Sequence, residues 1–202
     1  MSAAPAGPAV IVLVSMVQGF ISMGYQILGS RLLYPYFGST VVVWAFLIST
    51  FLLGFCVGAF YGGYLVRHTG QRLDARLILG LGAPALLSFA FTTFCAVPIM
   101  EVLVDRIDGL APAVMIASLL FFFLPVAAIS SLSPILTQLL SRRQVSAGAA
   151  SGIVYGSSTI GNVLGIMATT FVLIPNVPVS QIFLIWLIAV CGLFGSLLLL
   201  RG

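Results

Sequence analysis

Charged side chains are missing from residues 1–30, 32–66, 77–100, 109–141 and 144–200. Apolar stretches of that length have few places to go. A helix rises 1.5 Å per residue, so roughly 20 apolar residues cross the roughly 30 Å of bilayer hydrocarbon. Inside that layer the backbone finds no water, and a helix satisfies its own amides and carbonyls. Gly, Pro and charged residues divide the stretches into six predicted helices, at about 9–28, 41–66, 77–97, 113–140, 147–174 and 179–200. Pro84 is expected to kink the third, and Pro125 and Pro134 to bend or break the fourth. A short interfacial helix is expected within 98–112.

Composition narrows the function classes. The chain is 61% hydrophobic and 6% charged, far from the roughly 25% charged residues of soluble domains and too apolar for disorder. Six spans use most of the 202 residues. What remains is divided among short connections and ends, none of which approaches the roughly 50 residues of a small soluble domain. The expectation is one all-α integral membrane domain over 1–202, and not an enzyme. Cys56, Cys95 and Cys191 fall inside apolar runs without close spacing, and His68 is the only histidine, so neither metal nor other cofactor is expected. The segment before the first helix has no basic residue, which predicts a retained helix and not a cleaved leader.

Orientation follows from arginine. The chain has eight Arg and no Lys, scattered and not gathered into a basic face, so no nucleic-acid partner is expected. Six spans put both termini on one side. That side collects Arg67, Arg72, Arg76, Arg142, Arg143 and Arg201. The other collects Arg31 and Arg106 with Glu101, Asp105 and Asp108. The positive-inside rule makes the first side cytoplasmic, giving N-in and C-in. The absence of Lys points to a GC-rich genome and hence a bacterial inner membrane.

Polar residues inside the spans are few. Gln18, Tyr25, Gln26, Tyr155 and Asn162 are the candidates for a polar path. Such groups must find partners, and they either tie helices together or line a route for solute. No carboxylate lies within a span, which disfavours proton-coupled carriage. Gly54, Gly58 and Gly62 recur at helical spacing in the second helix, and Gly152, Gly156, Gly161 and Gly165 in the fifth. Small residues spaced this way let backbones approach, within the bundle or between chains. The run S-T-x-x-x-G-x-x-x-G from Ser49 and the run S-T-x-G-x-x-x-G from Ser158 are compatible with two three-helix repeats.

Two resemblances add to this. Gly63, Leu65, Gly70 and Arg72 match the loop signature between the second and third helices of the major facilitator superfamily, with Arg67 standing where that family has the Asp of its conformational latch. Leu124-Pro125, Ser133-Pro134-Ile135-Leu136, Gly148, Gly152, Tyr155-Gly156, Ser158-Thr159, Gly161-Asn162, Gly165 and Phe171 to Pro175 follow one pattern with Tyr25-Gln26, Arg31-Leu32 and Gly38-Ser39. That pattern is similar to the membrane part of the fused transporter/spermidine-synthase family. The family's aminopropyltransferase-like domain has no counterpart in these residues, so its activity is not carried over.

The resemblance implies a half-major-facilitator-like bundle. Full members of the superfamily pair two six-helix halves around a cavity. The expected partners are therefore the lipid bilayer and either a second copy or other membrane subunits. The expected function is a transporter-like module moving a small polar or cationic solute. A membrane anchor or accessory subunit is the alternative, as is a membrane partner for a separate aminopropyltransferase-like enzyme.

Overall fold

The computed structural model describes residues 7–68, 75–143 and 145–199, and every regular element among them is helical. Six helices are long and apolar enough to cross a membrane. We label them α1 (Pro8–Phe37), α2 (Val41–His68), α3 (Ala75–Arg106), α4 (Leu110–Ser141), α5 (Ala147–Asn176) and α6 (Val179–Leu199). The chain is an all-helical protein of integral-membrane character.

Two helices run further than the sequence predicts. α1 continues beyond residue 28 to Phe37 because Leu28, Leu32, Leu33 and Phe37 keep an apolar face buried. The expected loop shrinks to the turn at Gly38, whose φ of 70° suits glycine. α3 likewise passes through Pro98 to Arg106, held by buried Met100 and Leu103. No separate interfacial helix forms over 98–112; those residues finish α3 and begin α4. Gly109, at φ 100°, makes the turn between them. Glu101 and Asp105 are exposed on α3, while Asp108 lies past its end.

Proline acts where α4 and α5 widen. A π-helical turn, Leu119–Phe123, precedes Pro125, and regular helix lapses at Ser131 before Pro134. A second π segment, Ala168–Leu173, precedes Pro175. Proline lacks an N–H and crowds the carbonyl four residues back. A wider turn relieves that crowding. α3, in contrast, runs through Pro84 as one helix.

α1 and α4 form the centre, with 50% and 61% of their spans buried against 22% for α5. α1 packs chiefly on α5, and α4 on α2; α3 and α6 close against each other, α3 also meeting α4 and α6 meeting α1. Exchanging α1 with α4, α2 with α5 and α3 with α6 returns the same pattern. The two main contacts are built alike. Gly58 and Gly62 of α2 lie against the carbonyls of Ala127 and Ser131 in α4, and Gly161 and Gly165 of α5 against those of Met16 and Phe20 in α1. A serine ties each pair: Ser15 Oγ donates to the Val154 carbonyl at 2.7 Å, and Ser130 Oγ to that of Gly54 at 3.2 Å. Phe60, Leu87, Phe94, Phe171 and Ile188 point outward, as a lipid-facing surface requires.

Candidate functional site

The site begins with a carbonyl that proline sets free. Pro125 has no amide proton to give the Phe121 oxygen four residues earlier. Tyr25 Oη of α1 supplies a donor at 3.3 Å, and Thr92 Oγ1 of α3 a second at 3.0 Å, its one proton shared with the Ser88 carbonyl at the same distance. This pins the Tyr25 ring in the core. Around it lie Phe51, Phe89, Phe122 and Phe183, with centroids 4.3 to 6.1 Å away. Five helices, α1, α2, α3, α4 and α6, thus contribute one ring each.

About two turns back along α1 is Gln18. Its Nε2 donates to Ser133 Oγ of α4 at 2.8 Å, while its Oε1 is buried without a partner. Here a cleft of about 760 Å³ opens between α1, α2, α4 and α5. Its lining starts near Leu52, Gln18 and Asn162 and continues to Val66, Gln138 and Ser151, beside Arg67 and Arg142. Along α2, from Leu52 to Val66, that is roughly 20 Å at 1.5 Å per residue. The cleft therefore reaches from mid-bundle to the arginine-bearing end, and the aromatic rings lie beyond its inner end. Among the described residues no charged side chain lines it.

The candidate residues divide. Gln18 of α1 and, far from it in sequence, Tyr155 and Asn162 of α5 line this one cleft. Tyr25 does not; it is fully buried among the rings. Gln26 is half-buried and also outside the lining. Ser133, cited in the sequence only as part of a family pattern, and Thr137 join Ser130 and Gln138 on the cleft side of α4. Their positions, 130, 133, 137 and 138, form a helical stripe visible in the sequence.

The glycines divide too. Gly54, Gly58, Gly62, Gly161 and Gly165 face other helices, whereas Gly152 and Gly156, expected in helix packing, meet nothing within 4 Å, and neither does Gly148. The correction has a simple cause: Gly148, Gly152 and Gly156 lie on the face of α5 opposite the buried stripe of Ala150, Val154, Ser157, Gly161 and Gly165. In the loop signature, Gly63 lines the cleft and Leu65 is half-buried. Gly70 and Arg72 lie outside the described residues, as do Asp74 and Arg201. His68 stacks on Tyr64, centroids 4.0 Å apart. Among the described residues no three His, Cys, Asp or Glu gather as a metal site. Chemically, the described lining of the cleft offers hydroxyls and amides.

Compared with protein-family models, curated proteins and solved structures, the chain matches none.

Proposed function

We propose that this chain is a transporter-like membrane module, of half-major-facilitator form, whose cleft admits a small polar solute. In this reading it sits N-in and C-in in a bacterial inner membrane, with the cleft open toward the cytoplasm. One observation carries it: polar groups from α1, α4 and α5 converge on a single open cleft in an otherwise apolar bundle. Hydroxyls and amides turned toward hydrocarbon are costly, so such a wall belongs beside water or a polar ligand. The interchange of α1–α3 with α4–α6 supports the reading. Inverted repeats place binding sites near the midplane between them, and Gln18 and Ser133 meet across that boundary. A second copy would cover the open flank, making a homodimer of halves.

Thiol labelling tests this. Cys56, Cys95 and Cys191 are first replaced by Ala. A membrane-impermeant maleimide should then modify Thr137→Cys and Asn162→Cys from the arginine-rich face of oriented vesicles. Lipid-facing Leu87→Cys and Phe94→Cys should stay unmodified. Cleft cysteines that resist the reagent from both faces would overturn the proposal.

A non-transporting accessory subunit is the second reading. It draws on the bare backbone at Gly148, Gly152 and Gly156, which suits close docking of another helix. Fixed-stoichiometry co-purification with unrelated subunits would favour it.

A further inference from the structure

We infer that the inner end of the cleft recognises an uncharged solute whose groups both donate and accept hydrogen bonds, hydroxyls or carboxamides, through Gln18 and Ser133. The inference rests on the cleft being the solute path.

Gln18 is only 3% exposed, yet its Oε1 has no hydrogen-bond partner. Buried polar atoms seldom go unpaired. One of its two Nε2 protons goes to Ser133 Oγ. Ser133 accepts that bond, and its own proton has no acceptor among the described residues. Neighbouring Ser22, Ser130 and Thr137 behave otherwise, each donating to a backbone carbonyl. The Gln18–Ser133 pair therefore leaves one unmet acceptor, Gln18 Oε1, beside two unspent protons, one on Gln18 Nε2 and one on Ser133 Oγ. Turning the amide over would exchange the two roles and leave the count unchanged.

The count selects the solute. An ammonium group donates only, and a carboxylate accepts only, so each would satisfy half of the pair. Among the described residues no charged side chain lines the cleft to compensate an ion, and an uncompensated ion in such surroundings is strongly disfavoured. A hydroxyl or carboxamide satisfies both halves. Ser158 and Asn162 extend the same chemistry along α5, with side chains that make no hydrogen bond among the described residues. At about 760 Å³ the cleft has room for several such groups.

Osmotic swelling of liposomes containing the full chain tests the inference. The neutral probes are erythritol, myo-inositol and malonamide. The ionic probes are sodium malonate and ethane-1,2-diammonium chloride, matched to malonamide in size. At least one neutral probe should swell these liposomes faster than protein-free ones, and the ions should not. Gln18→Leu should slow that swelling about tenfold, the worth of roughly one hydrogen bond. Ser133→Ala should slow it in the same sense, and Ser88→Ala, away from the cleft, should not. Should either variant fail to fold, protection of Asn162→Cys from maleimide by the neutral probes alone carries the test. Faster passage of the ions overturns the inference and leaves a transporter. No passage or protection by any probe, with cleft cysteines open to maleimide, also overturns it. Cleft cysteines closed to maleimide overturn the underlying transport reading instead.

Discussion

The Phe121 carbonyl shows how much one missing proton organises. Tyr25→Phe and Thr92→Val each remove one of its donors, and each should cost about 1 kcal/mol. The double variant leaves a buried carbonyl unpaired, so its cost should exceed the sum. Pro125→Ala returns an amide to the helix and should shrink that excess. Denaturation in mixed micelles across the full cycle measures all of this; strict additivity would mean Phe121 has another partner. Gln18 should behave in the opposite way. Gln18→Leu removes an orphaned oxygen, so thermal stability should hold or rise while solute movement falls. A large loss of stability would make Gln18 a structural tie. The glycines supply a third contrast. A Cβ at Gly161 would press on the Met16 carbonyl, while one at Gly152 meets open space. Gly161→Ala should therefore destabilise by about 1–3 kcal/mol. Gly152→Ala should be neutral or stabilise by up to about 1 kcal/mol, through helix propensity. Equal effects in a melting assay would show that the surface at Gly152 is covered.

At the level of elements, the six spans were legible because lipid demands a signal that nothing else in a sequence mimics: long stretches without charge. Helix ends were less legible. Arg31 and Pro35 look like loop residues, yet α1 carries both, because buried Leu32, Leu33 and Phe37 outweigh them. Pro98 reads as a stop, yet Met100 and Leu103 hold α3 together past it. Local residue preferences gave way to tertiary burial in both cases. The prolines of α4 were read correctly as a disturbance, but not its form, since a widened turn depends on which side chains reach the freed carbonyl. The same limit applies to the cleft. Gln18 and Asn162 stood out as lone amides among apolar neighbours. Tyr25 stood out equally and went to the core, because its hydroxyl found a carbonyl from another helix. Ser133 enters the sequence reading only through a family pattern, since serine is common in membrane helices; its lack of a backbone acceptor is what marks it.

For the whole molecule, the exposed flank of the cleft sets the expected assembly. In lipid nanodiscs the native mass should correspond to two copies of the 21.3 kDa chain. A stable single copy, with its cleft open to lipid, would argue against the paired arrangement. The repeated contact pattern also predicts matched sensitivity: Gly58→Val on α2 and Gly161→Val on α5 should disrupt folding to similar degrees, because each seats a neighbouring backbone carbonyl. Retention of folded protein on gel filtration reads this directly. The ring cluster, finally, bears on time as much as on shape. Tyr25, Phe51, Phe89, Phe122 and Phe183 belong to five helices, so parting them means moving most of the bundle together. Drawing α4 away from α1 and α3 strips Phe121 of both donors. The Tyr25 hydrogen bond alone, at about 1 kcal/mol, makes the parted state about fivefold rarer, before the shared Thr92 proton or any ring contact is counted. If solute crosses here, its pace is set by the wait for that uncommon event, and hardly at all by how quickly the cleft fills.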